Sequence, residues 1–148
     1  FDRMYDIVFK ERLAKGKDNQ FDLSNAHIAL VDDNKVNLRI EAALLKDFNV
    51  KIEAFTSGSA ILKAYSLGRR YDMIFMDHMM PEVDGIETAK RIRNLPENAG
   101  RTVKIIALTA NVIQGVENEY IAAGMDDWLF KPVKQEQLKG MILKHLRT

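Results

Sequence analysis

Asp32-Asp33, Asp77, Thr109 and Lys131 are the residues of this chain whose types could work together chemically. Each closes a short apolar run: HIALV (27–31), MIFM (73–76), VKIIAL (103–108) and WLF (128–130). A strand tip in an α/β sheet shows its last side chain to a crevice while the backbone behind it stays rigid. If the four tips share one rim, three carboxylates, a hydroxyl and an ammonium meet there. Three carboxylates within a few ångströms cannot all stay ionised cheaply, so either their pKa values rise or a cation joins them. Hard oxygen ligands, with no cysteine and no clustered histidine, point to Mg2+ (or Mn2+) rather than zinc. Such an ion would collect a phosphoryl group on its open positions. Thr109 would hydrogen-bond one phosphoryl oxygen, backbone N–H groups after the third and fourth strands would bind others, and Lys131 would supply countercharge. Phosphoryl transfer needs mainly positioning and charge neutralisation. Asp77 would be the in-line nucleophile, giving an acyl phosphate.

Taken singly, each residue has a plainer use. Asp32-Asp33 before a helix can be an N-cap, and Asp77 can cap the turn that follows it. Thr109 is ordinary strand-end chemistry, and Lys131 before Pro132 can be a solvated loop lysine. His78 reads as an exposed loop histidine, Met79-Met80 as loop packing, and His27 and His145 as incidental. The joint placement favours the chemical reading, because four different strand ends carry the required residue types in the required order.

The elements that must position these residues follow from hydrophobic periodicity. Strands are expected at His27–Val31, Lys51–Phe55, Tyr71–Met76, Val103–Leu108 and Trp128–Phe130. Helices follow each strand. The first starts at Asp32-Asp33-Asn34 with Ile40, Leu44 and Phe48 inward. The second opens at Ser57-Gly58-Ser59 and carries Ile61, Leu62 and Tyr65. The third is Ile86–Arg93, the fourth bears Ile113, Val116 and Tyr120, and the last Leu138, Met141 and Ile142. Five strands alternating with five helices imply an α/β, doubly wound parallel sheet covered on both faces. Ahead of it, Phe1, Met4, Tyr5, Val8, Phe9 and Leu13 recur at helical spacing, and a polar stretch around Gly16 follows. Residues 1–23 thus read as an amphipathic helix and linker, and 24–148 as the main domain. The N-terminal stripe needs an apolar partner, either a neighbouring domain or a dimer.

Composition narrows the field. The 148 residues suit one domain, with 47% hydrophobic and 29% charged residues. A net charge of +1 gives no footprint for nucleic acid, and the basic residues Lys139, Lys144 and Arg147 suit a helix C-terminus. No apolar run approaches the roughly 20 residues of a membrane span. The absence of cysteine excludes disulfides and thiolate catalysis and fits a cytoplasmic setting. Beginning on Phe1, the sequence reads as a piece of a larger protein, whose other parts can include a membrane anchor.

The runs VDDN (31–34), MDHMMPEVDG (76–85), ALTAN (107–111) and DWLFKPV (127–133) resemble a response-regulator receiver domain over about Ser24 to Thr148. The wording VDDNKVN, ALTAN and FKPV is most similar to receivers of hybrid sensor histidine kinases. The resemblance implies a flavodoxin-like (βα)5 fold with strand order 2-1-3-4-5. It implies Asp77 as phosphoacceptor and Asp33, Asp77 and the Met79 carbonyl as direct Mg2+ ligands, with Asp32 acting through water. Thr109 and Lys131 match the switch hydroxyl and the phosphate-binding lysine, and the amides of Met79 and Ala110 match the remaining phosphoryl contacts. The donor would be a histidine kinase or phosphotransfer histidine, and the domain would catalyse its own phosphorylation and slow hydrolysis.

Trp128 departs from the family's usual Tyr or Phe at the aromatic switch position, and an indole is larger and only donates. Met79 and Asn111 occupy positions that tune hydrolysis, and an apolar Met79 implies a long-lived acyl phosphate. Two other classes compete. A haloacid-dehalogenase-type hydrolase also forms an aspartyl phosphate, but it needs a second acid two residues on, where Met79 stands. A phosphorylation-independent receiver-like scaffold would have been free to lose Asp77, Thr109 or Lys131.

Overall fold

In the computed structural model of the chain, residues 25–110 and 115–146 are described. The expected N-terminal helix, and the roles assigned to Asn111, Ile113 and Arg147, lie outside them. The elements run β1 (His27–Val31), α1 (Lys35–Leu45), β2 (Lys51–Phe55), α2 (Gly58–Ser66) and β3 (Met73–Asp77). They continue with α3 (Gly85–Arg93), β4 (Lys104–Thr109), α4 (Val116–Ala122), β5 (Asp127–Phe130) and α5 (Gln135–Leu146). All neighbouring strands are parallel, in the order β2-β1-β3-β4-β5. The chain therefore leaves β1 in one direction for β2 and in the other for β3, and a crevice opens at the carboxyl ends where the order reverses.

Burial explains the strands. Ile28 to Val31, Met73 to Met76 and Ile105 to Leu108 are fully buried, as sheet covered on both faces demands. Alternate residues feed two separate cores. Ala29, Val31, Ile74, Met76, Ile105 and Ala107 face α2, α3 and α4, meeting Ile61, Ala89, Ile92 and Tyr120. Ile28, Leu30, Met73, Phe75, Ile106 and Leu108 face α1 and α5, meeting Leu38, Leu45, Leu138 and Ile142.

Three local expectations change. The β3 ladder starts at Met73 rather than Tyr71, whose ring packs edge-on to Phe55 and Tyr65 while its hydroxyl donates to Glu53. The buried stripe of α1 is Leu38, Glu41 and Leu45; of the expected inner residues Phe48 is buried and Leu44 packs half-buried against this core, but Ile40 is 51% exposed. Spacing of three and four residues permits either stripe, and docking on Ile28 and Leu30 selects the one that carries an acid. Lys139 is not part of an exposed basic end: it sits mid-helix and is buried, while Lys144 pairs with Asp127 at 2.8 Å.

Candidate active site

The plainer uses of the aspartates are taken by other residues. Asn34 caps α1, its side chain accepting from the backbone N–H of Val36 and Asn37. Asp84 caps α3, accepting from Glu87 N at 2.8 Å. Asp32, Asp33 and Asp77 are thereby left for the crevice, where one carboxylate oxygen from each lies within 4.8 Å of the others.

The pleat decides what surrounds each group. Asp32 and Asp77 continue the phase of Leu30 and Phe75 and so lie on the α1 flank of the pocket. Asp32 is fully buried and well partnered: it accepts from Asn34 N (2.9 Å), Asn37 Nδ2 (3.2 Å) and Lys131 Nζ (3.1 Å). Lys131 Nζ also donates to Asp77 Oδ1 at 2.8 Å. Its backbone N–H donates to the Thr109 carbonyl (2.8 Å), so the β4–β5 edge sets where the ammonium reaches. Asp33 is exposed at the mouth. Gly85 is required by close approach, because a Cβ there would overlap the Asp77 carbonyl oxygen.

Three carboxylates share one ammonium, which leaves two uncompensated negative charges in a half-buried pocket. Burial pushes the Asp77 carboxyl up, the Lys131 hydrogen bond opposes this, and the charges of Asp32 and Asp33 add to the rise. Burial alone would lower Lys131, but its hydrogen bonds to Asp77 and Asp32 outweigh that and hold it above the ordinary lysine value. Oxygen ligands with a charge deficit of two fit a divalent hard cation.

Thr109 and His78 continue the opposite phase and fall on the α4 flank. Thr109 is buried, and near it burial pushes the Tyr120 phenol up, against the pull of the Thr109 hydroxyl. His78, expected to be exposed, is half-buried, with Nδ1 2.9 Å from the Tyr120 hydroxyl. Met80 packs into the core as expected, whereas the Met79 side chain is 71% exposed at the rim. Ala110 follows Thr109 at the surface. Trp128 is partly buried, its ring 6.1 Å from that of Tyr120. His27 is exposed, but His145 is not incidental: Nε2 lies 3.0 Å from Asp127 Oδ2.

Two residues of the site were not anticipated. Asn37 orients Asp32. Glu41 is 3% exposed, and its Oε1 has no hydrogen-bond partner. Burial, then the Asp32 charge, push its carboxyl up to about 7, against the pull of Lys131. With Asn37, Ile40, Lys131, Pro132 and Val133 it lines a cavity of about 230 Å3 beside the crevice. The interval Leu38–Glu41–Leu45 carried this signal in the sequence.

Comparison with known proteins agrees with this geometry. The model of the response regulator receiver domain family matches residues 28–143. A probable histidine kinase 4 of Oryza sativa subsp. japonica is 36% identical over 142 residues; the match covers 84% of this chain and 14% of that protein. The chain thus spans about one seventh of this relative's length. Among solved structures, the receiver domain of sensor histidine kinase PA1611 from Pseudomonas aeruginosa PAO1 superposes with a TM-score of 0.74 at 35% identity. That match covers 84% of this chain and 99% of the other, which holds a magnesium ion in its active-site cleft. The Ssk1 receiver domain of Saccharomyces cerevisiae, solved with the phosphotransfer protein Ypd1, gives 0.73 at 27% identity, covering 82% and 88%. Family match, strand order and the site at the carboxyl edge agree, and the chain belongs to the response regulator receiver domain family.

Proposed function

We propose that the domain accepts a phosphoryl group on Asp77 from a phosphohistidine, within a two-component phosphorelay. The observation that carries this reading is Lys131 Nζ bridging Asp77 (2.8 Å) and Asp32 (3.1 Å) inside a cluster of three carboxylates. A merely structural lysine has no need of two buried acids at a strand-end crevice. The Asp77 carboxylate attacks phosphorus in line; the new P–O bond forms as the P–N bond to the donor imidazole breaks, and the imidazole leaves with the electron pair. Lys131 follows the charge from the carboxylate to the phosphoryl oxygens, the Thr109 hydroxyl donates to another, and the amides of Met79 and Ala110 take the rest. Asp33, Asp77 and the Met79 carbonyl would hold Mg2+ (or Mn2+), with Asp32 reaching it through water. When bound, the ion neutralises the approaching charges.

The donor is a histidine kinase or a histidine phosphotransfer domain, and the parent protein a hybrid histidine kinase. Val36 and Ile40, both more than half exposed on α1, give such a partner an apolar footing beside the cavity walled by Pro132 and Val133. Self-association through the N-terminal helix is a further part of the reading. No helix among the described residues is long and apolar enough to cross a membrane, and we place this domain in the cytoplasm. The exposed apolar Met79 cannot orient an attacking water, so the acyl phosphate is long-lived; Met79→Asn should speed its loss several-fold.

The test is incubation with Mg2+ and acetyl phosphate, read by intact mass. Wild type should gain one phosphoryl group and Asp77→Asn none. No adduct on wild type, or an adduct retained by the variant, overturns the proposal.

A further inference from the structure

Glu41 is an acid without a task in the phosphoryl chemistry, and its surroundings are those of a ligand site. It stands between Leu38 and Leu45 on the buried stripe of α1, is 3% exposed, and leaves Oε1 without a hydrogen-bond partner. A buried carboxyl left unpaired costs free energy. The same side chain forms part of the wall of the cavity of about 230 Å3. Ile40, Pro132 and Val133 make much of that wall apolar, and its two other polar side chains are engaged elsewhere. Asn37 donates to Asp32 at 3.2 Å, and Lys131 donates to Asp77 at 2.8 Å and to Asp32 at 3.1 Å. A metal ion at the crevice does not answer Glu41, because the carboxylates that gather there are Asp32, Asp33 and Asp77.

Size and charge name the occupant. Pockets for drug-sized ligands run to roughly 300–1,000 Å3, so this cavity takes only a short chain of a few heavy atoms. Its head must donate hydrogen bonds, since a carboxylate only accepts them. It must also be cationic: ionised Glu41 joins Asp32 and Asp77 around the one ammonium of Lys131, and three negative charges then face one positive. We propose that the cavity between α1 and the Lys131-Pro132-Val133 segment binds an aliphatic ammonium group, with its head on Glu41 and its carbon chain against Ile40, Pro132 and Val133. The inference stands apart from the phosphoacceptor role of Asp77. Two sources supply such a group, a free alkylamine and the lysine side chain of another protein.

The experiment is an NMR titration of the full chain at pH 8, where Glu41, pushed up by burial to about 7, is mostly ionised. The probes are n-butylammonium and 1-butanol, which match in heavy atoms and differ in charge. n-Butylammonium should bind about tenfold more tightly, the margin of a charged over a neutral hydrogen bond, and should move the Glu41 13Cδ resonance. Glu41→Gln keeps the shape of the side chain and removes its charge, and the preference should vanish there. A buried acid that serves packing alone predicts equal affinity for the two probes, or no binding of either, and both results overturn the proposal. A preference that survives Glu41→Gln also overturns it, because the ammonium would then sit among Asp32, Asp33 and Asp77. Should Glu41→Gln fail to fold, the wild-type 13Cδ resonance decides, and one that stays put at saturation overturns the idea. Nα-acetyl-lysine methyl amide separates the sources. Binding as tight as that of n-butylammonium identifies a protein lysine as the occupant, and its exclusion while n-butylammonium binds identifies a free amine.

Discussion

The two flanks of the pocket satisfy their polar groups in opposite ways. On the α4 flank, the Tyr120 hydroxyl and His78 Nδ1 pair at 2.9 Å beside the buried Thr109. On the α1 flank, Asp32, Asp77 and Glu41 crowd one ammonium, and an oxygen of Glu41 has no partner. A buried neutral hydrogen bond adds stability, whereas a buried charge without full compensation costs it. The α1 flank is thus an electrostatic debt that a divalent cation would discharge. The α4 flank is held by a directed hydrogen bond. The first should respond to metal, salt and pH, and the second to neither metal nor salt.

Removal of Lys131 should produce the largest effect. Lys131→Met leaves fully buried Asp32 and nearly buried Asp77 without their shared cation, which should lower stability by roughly 3 kcal/mol in chelator. Added Mg2+ should recover much of the loss, as read by urea unfolding. A loss that Mg2+ leaves untouched would show that Lys131 acts on packing and not on the charge balance.

Glu41 should act with the opposite sign. Its folded carboxyl titrates at about 7 against an ordinary 4.5. Below pH 4.5 both folded and unfolded forms are protonated. Between 4.5 and 7 the unfolded chain loses this proton first, so the Glu41 contribution to stability falls as pH rises and stays low above 7. Glu41→Leu, set between Leu38 and Leu45, should therefore gain on the order of 2–3 kcal/mol at pH 8 and much less at pH 4.5. A gain equal at both pH values would identify the benefit as packing alone.

Asp32→Asn keeps the shape of the side chain and removes a charge expected to reach the ion through water. Mg2+ affinity should fall about 10–100-fold, measured by calorimetric titration, in the range found for outer-shell partners of metal sites. Unchanged affinity would take Asp32 out of the ion's surroundings.

Tyr120→Phe should give the smallest change, a loss of about 1 kcal/mol from the lost hydroxyl contacts. This cost should be the same with and without Mg2+. A Mg2+-dependent cost would erase the contrast between the flanks.

Much of this architecture is legible in residue order. The apolar runs buried in β1, β3 and β4 read as strands because they are too short for a buried helix and end in polar turn residues. Asp32, Asp33, Asp77, Thr109 and Lys131 are legible for a related reason: each stands at the end of such a run. Ile40 shows the limit. On an isolated helix, Ile40–Leu44 and Leu38–Glu41–Leu45 are equally good stripes, and a stripe holding an acid looks like the solvent side. His78 shows it again, since a histidine after a strand tip has no periodicity to reveal whether it meets water or a phenol 42 positions away.

The sequence by itself determined the elements, their parallel pairing and the set of groups at the carboxyl edge, because periodicity and strand ends are local properties of the chain. Only the tertiary structure decided which side of the pocket each group serves. That choice follows from the pleat: Asp32 and Asp77 share a phase with Leu30 and Phe75 against α1, and Thr109 and His78 share the other against α4. It also decided that an acid lies buried behind the carboxylates and that a tyrosine meets His78 beside the threonine. Both depend on which helix each sheet face receives, and no local spacing encodes that.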